Sequence, residues 1–131
     1  MLSNNNSIII LLGNYRTPQR YYDIILNMSY KIVVYVPLEN SDSVREAIAS
    51  AGGGKSGKYS HCTFSTLGIG RFKPGKGARP HIGQIGKLES VKEERIEVTC
   101  ENSVVGNVIA AIKKVHPYEE VAMDVYELTN W

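Results

Sequence analysis

The succession of apolar periods constrains this chain more than any other feature. Residues 30–37, "YKIVVYVP", are a β-branched run closed by Pro37, the signature of a buried strand. Behind it, "NSDSVREAIASAGGG" sets Val44, Ala47, Ile48 and Ala51 at i, i+3, i+4 and i+7, with Asn40, Ser41 or Asp42 to cap and glycines to close. "YSHCTFSTLGIGRF" reads as a second strand, bent at Gly68 and Gly70. A long Gly/Pro loop, "KPGKGARPHIGQIGKLES", separates it from "EERIEVTC", where Ile96, Val98 and Cys100 alternate as on a half-buried strand. "NSVVGNVIAAIKKV" is again helical, with Val105, Val108, Ile109 and Ile112 in one stripe and Lys113 and Lys114 at its negative end. Pro117 stops it, and "EEVAMDVYEL" is the fourth strand.

Strand, helix, strand, twice over, predicts an α+β fold: a ferredoxin-like split βαβ sandwich with two helices on one face of an antiparallel sheet. Such a sheet keeps a polar face where nothing covers it. The last strand reads as apolar on both faces, with Val121, Met123 and Val125 alternating with Ala122, Tyr126 and Leu128. Another subunit is therefore expected on the second face. Residues 1–28 read as an N-terminal extension, a tail or a mis-called start with Met28 as a second start, and 29–131 as the domain.

At 131 residues one domain is expected, large enough to fold without staples. The two cysteines make neither a disulfide framework nor a zinc signature, which points to the cytoplasm. No membrane segment is expected, since the longest apolar run, Ile8 to Leu12, falls far short of about 20 residues. Between Gly52 and Leu88 stand seven basic residues and no acidic one, whereas Glu89 to Trp131 carry nine acids against four bases. That asymmetry suits a small anionic ligand or a contact between subunits.

"GKYSHC", "GQIGKLE" and "HPYEE", in that order, give residues 30–128 a specific resemblance to the insert domain of the Ngg-interacting-factor-three-like family. The resemblance implies a fold similar to CutA and PII signalling proteins, and a homo-oligomer, typically a trimer. Full-length members of the family hold this domain between two lobes that form a ring around a two-metal site. Their ligands are a His-His pair and an Asp from one lobe, and a His and a Glu from the other. No His-His pair occurs here, so the GTP cyclohydrolase activity attached to the family name is not expected of this chain.

Within the domain, "GGGKSGKY" nearly matches a phosphate-binding loop. Tyr59 stands where the hydroxyl should be, however, and a strand follows instead of a helix. A helix cap and turn is the expectation. For a small anion, the loop side chains Lys73, Lys76, Arg79, His81 and Lys87 are the candidates, at the place where PII-like proteins carry a ligand-responsive loop. Nucleic acid is disfavoured, because Phe72 is the loop's one stacking ring and the C-terminal acids repel a phosphate backbone.

A divalent metal could draw on His61, Cys62, His116, Glu119 and Glu120. In a split βαβ sheet His61 and His116 fall at diagonal corners, so that set closes only across a subunit boundary. Cys62 and Cys100 are expected as buried cross-strand neighbours, a redox pair being the alternative. Ser60 and His61, as neighbours on a strand, should point to opposite faces and form no nucleophile–base pair. The leading expectation is a non-enzymatic, trimeric small-ligand-binding or regulatory module. The alternatives are a detached cap for a metal-ring protein partner and a metal-dependent hydrolase built between subunits.

Overall fold

A computed structural model describes residues 18–129. Helix α1 (Gln19–Leu26) precedes β1 (Ser29–Pro37), a single 3-10 turn (Leu38–Asn40) and α2 (Ser41–Ser50). Then come β2 (Phe64–Phe72), β3 (Glu89–Glu101), α3 (Val105–Val115) and β4 (Met123–Leu128). The strands lie in the order β2-β3-β1-β4, every neighbouring pair antiparallel. This is the ferredoxin-like split βαβ arrangement. The sequence stretch 1–28 is described only from residue 18, so the tail reading of residues 1–17 falls outside the described residues.

The core forms where period two meets period 3.6. Ile32, Val34 and Val36 of β1 and Ile96, Val98 and Cys100 of β3 alternate onto one face. Val44 and Ile48 of α2, and Val108 and Ile112 of α3, close over them with 0% exposure. Burying each of these aliphatic side chains favours the fold by about 1.5–3 kcal/mol relative to leaving it in water. Arg45 of α2 adds a charged clamp, donating to Asp42 Oδ1 at 2.7 Å and pairing with Glu94 on β3.

Asn40 takes the N-cap position of α2 without a side-chain cap bond, and its carbonyl accepts from Ser43 Oγ at 2.9 Å. The glycines at the other end do act as a cap. Gly52 has φ +99° and bonds Ala49 O, and Gly53 bonds Ile48 O, which together make a Schellman closure. The near phosphate-binding loop is this cap plus a tight turn bridging Ser56 and Tyr59.

Five sequence expectations need correction. β2 begins at Phe64, five residues later than its pattern suggests, because His61 sits in the left-handed region at φ +60°. In its place Gly54 extends the sheet, donating to Thr99 O at 3.0 Å and accepting from Cys62 N at 2.9 Å. Gly54 therefore separates the two cysteines: Cys100 is buried at 2% exposure and Cys62 is exposed, so they are not a cross-strand pair.

With His61 off the strand, Ser60 and His61 also do not point apart. Ser60 Oγ and His61 Nδ1 are 2.9 Å apart, and His61 Nε2 lies 3.4 Å from Glu46 Oε2. Gly68 and Gly70 do not bend β2, whose register with β3 runs one to one from Phe64↔Glu97 to Phe72↔Glu89.

The last strand is not apolar on both faces. Its register with β1 puts Asp124, Tyr126 and Leu128 on the face away from the helices, beside Lys31 and Val33. That face is charged at its centre. Lys31 and Arg95 each lie 3.7 Å from a Glu97 oxygen, and the Arg95 guanidinium stands 6.0 Å from the Tyr35 ring centre. Exposed apolar side chains stand on both edge strands: Phe64, Leu67 and Ile69 of β2 are 67%, 72% and 56% exposed, and Val125 and Tyr126 of β4 are exposed as well. Among the described residues no helix is long and apolar enough to cross a membrane.

Candidate functional site

The site grows from the end of α3. His116 keeps the helical bond of its N–H to Ile112 O at 2.9 Å, but its own backbone is extended at φ −67°, ψ 133°. Pro117 imposes that conformation on the residue before it and prevents another turn. The turn folds the imidazole inward to 6% exposure. Nε2 donates to Tyr35 O across 2.7 Å, and Nδ1 accepts from the Tyr118 N–H at 3.1 Å. Both ring nitrogens are thus used, and the bonds select the tautomer with hydrogen on Nε2. His116 ties the helix end to the central strand.

Tyr118 stands on the other side of that turn. Its hydroxyl donates to Glu93 Oε1 at 3.2 Å, and its ring centre lies 5.1 Å from His116, 6.0 Å from Phe72 and 6.3 Å from His81. Burial, with the charge of Glu93 behind it, pushes the Tyr118 hydroxyl up to about 12. Glu93 is 7% exposed on the sheet face opposite the core. It fits there because Gly70 on β2 leaves the space open; a Cβ at that position would overlap the Glu93 carboxylate. The glycine thus makes room for a buried acid.

The Gly/Pro loop between β2 and β3 completes the enclosure. It folds back through Gly86 N to Pro74 O at 2.8 Å and Ala78 N to Gly75 O at 3.1 Å. Arg79 N donates to Glu119 Oε1 at 2.7 Å, joining the loop to the His116–Glu120 turn. Between loop, turn and sheet lies a cavity of about 500 Å³. The buried Glu93, with Tyr118, Phe72 and Tyr35, lines it, as do Lys73, His81, Glu119 and Glu120. A cavity this size holds a small organic molecule, and apolar walls with a few convergent polar groups are the usual build of a binding pocket.

The candidates read from the sequence divide accordingly. Of the five loop residues, Lys73 and His81 line the cavity and Lys76, Arg79 and Lys87 do not, although the Arg79 backbone anchors the loop. His61 and Cys62 precede β2, at the far corner of the sheet from His116, Glu119 and Glu120. Among the described residues no three His, Cys, Asp or Glu side chains gather as a metal-binding group. Glu93 and Tyr118 were missed. In the alternating strand pattern Glu93 falls on the polar face, and its burial depends on Gly70 across a register that only pairing reveals.

No family model matches the chain. A GTP cyclohydrolase 1 type 2 homolog of Bacillus subtilis is 54% identical over 96 residues, which are 73% of this chain and 26% of that protein. One from Halalkalibacterium halodurans is 50% identical over 101 residues, 77% of this chain and 27% of that protein. The chain thus spans about a quarter of the length of these curated relatives.

Among solved structures, a Bacillus cereus protein related to NIF3 superposes with TM-score 0.69 at 46% identity, over 79% of this chain and 26% of that one. CutA from Archaeoglobus fulgidus (TM-score 0.56, 15% identity) covers 79% of this chain and 86% of its own. The Bacillus subtilis GlnK-ATP complex (TM-score 0.54, 12% identity) covers 77% and 82%. These last two share the fold alone.

Proposed function

Starting from a chain homologous to one PII/CutA-like, domain-sized segment of the NIF3-related proteins, we propose that it is a non-enzymatic small-ligand-binding or regulatory module that works as a homo-oligomer. The ligand sits in the cavity between the β2–β3 loop and the His116–Glu120 turn. The observation that carries this reading is the cavity itself, about 500 Å³, closed by a loop hydrogen-bonded to the turn through Arg79 and Glu119. A loop held by one such bond can open and reclose around a molecule, which couples occupancy to the shape of the loop. Lys73 and His81 supply positive or hydrogen-bonding groups for an anionic part of the ligand. Support for an oligomer comes from the open edge strand β2, whose exposed Phe64, Leu67 and Ile69 are costly to leave in water.

A thermal-stability screen tests this reading, with nucleotides, carboxylates, amines and inorganic phosphate each added to the full chain. A ligand at 100 times its Kd stabilises the native state by about 2.7 kcal/mol, a readily measured rise in Tm. A screen flat across all four classes overturns the reading. Light scattering tests the oligomer, and a monomer at micromolar concentration refutes it.

The 54% and 50% identity to one segment of the curated relatives favours a second reading, in which the domain caps a metal-ring partner. Co-purification of such a partner from cell extract would support it.

A further inference from the structure

The most buried charged residue lining the cavity is an acid, and the described cations leave it unpaired. Glu93 is more than nine-tenths buried, yet its one hydrogen-bonding partner among the described residues is the neutral Tyr118 hydroxyl, on Oε1. Among the described residues no donor bonds to Oε2, and that oxygen is not sealed off from solvent, so a ligand can reach it. Arg71 and Lys73 also line the cavity, but among the described residues neither pairs with Glu93, Glu119 or Glu120. A buried carboxylate with only a neutral partner is unfavourable, and a positive group beside it removes most of that penalty. The surrounding rings act in the same direction. The ring centres of Phe72 and His81 lie 6.0 and 6.3 Å from that of Tyr118, and aromatic faces attract cations, a guanidinium best of all because it also stacks.

We infer that the cavity takes a small organic cation, an amine or guanidinium group seated on Glu93 Oε2 beside the rings of Phe72 and Tyr118. This inference rests on the proposed ligand cavity and deepens it by naming the ligand's chemistry. A guanidinium donates charge-assisted N–H bonds to a carboxylate; here Oε2 offers an acceptor, Glu120 is a second acid lining the cavity, and the neighbouring rings offer it an aromatic surface. Lys73 and His81 remain available to an anionic group on the same molecule, so a bipolar ligand satisfies both ends.

The test uses agmatine, which carries an amine and a guanidinium and no anion, with inorganic phosphate as the opposite probe. Calorimetry on the full chain should show agmatine binding. Glu93→Gln keeps the size of the side chain and the acceptor for Tyr118 but removes the charge, and should weaken that binding at least tenfold with the unliganded Tm within a few degrees of the parent. Should Glu93→Gln fail to fold, ring-proton NMR of the unmodified chain serves instead, since agmatine must then shift the Phe72 and Tyr118 signals.

Agmatine binding that Glu93→Gln leaves unchanged overturns the inference, as do unshifted ring signals. If phosphate or a nucleotide binds while agmatine does not, the ligand cavity stands and its cation preference falls. If nothing binds, both fall together.

Discussion

Tyr118 and Glu93 are joined by a 3.2 Å hydrogen bond that fastens the turn after α3 to the exposed face of the central sheet. Around it are organised the cavity, the depth of Glu93 and the seating of the loop. The hydroxyl is held protonated by burial and by the negative charge beside it.

The sign of the resulting pH dependence follows. The folded-state value of about 12 lies above the ordinary value of 10, so the folded chain holds this proton more tightly than the unfolded chain. The contribution is fully present below pH 10 and is lost as pH rises through about 12. Tyr118→Phe should therefore flatten the fall in Tm between pH 10 and 12 relative to the parent. Equal slopes in the two proteins would show that Tyr118 is not the linked group.

His116→Ala leaves Tyr35 O and the Tyr118 N–H without their partner. Unsatisfied buried polar groups cost about 1–3 kcal/mol each, so a loss of about 2–6 kcal/mol is expected in urea unfolding. Metal chelation should leave the parent's midpoint unchanged if the histidine acts through these two bonds. A chelator-sensitive midpoint would point to a ligating role.

Gly52→Ala places a methyl group on a residue at φ +99°, with Val104 Cγ1 only 3.1 Å from the new atom. The left-handed backbone alone costs about 1–2 kcal/mol for a residue with a Cβ. Denaturant unfolding should show a loss of at least that size. A neutral result would mean that the Schellman closure does not hold α2 in solution.

The two thiols should differ sharply in reactivity. Cys62 is exposed, whereas Cys100 is buried and its thiol is pushed up by that burial, partly offset by a bond from the Gly54 backbone. A thiol reagent at neutral pH should label one cysteine per native chain quickly and the second only on unfolding. Rapid labelling of both would contradict the burial of Cys100.

Much of the fold was legible because its signals are local. Ile32, Val34 and Val36 announce a strand by alternation, Val44 and Ile48 a helix by their spacing, and the glycines after Ala51 its end. The failures are all of pairing. Whether a histidine takes φ +60° depends on the turn that Gly54 makes against Thr99, so the start of β2 could not be read from composition. The inward-facing members of a Gly/Pro loop depend on where Gly86 meets Pro74, and only Lys73 and His81 of the basic set turned toward the cavity. Glu93 looked like any solvated acid until Gly70 came to lie beside it. His116 stood out in the sequence, but its partners, the Tyr35 carbonyl and the Tyr118 amide, are backbone groups that no side-chain motif advertises.

The pairing of Ser29 with Leu128 has a consequence for how such a domain can be carried. Register partners in an antiparallel pair have Cα atoms about 4.5–5.5 Å apart, so the first strand begins where the last one finishes. A larger protein could splice the sandwich into a single surface loop without prising its own flanking elements apart. The joined ends would behave as a two-stranded stalk, stiff along the strands and compliant across them. A domain mounted in this way can swing as one body while its cavity, at the opposite end of β1, keeps its shape.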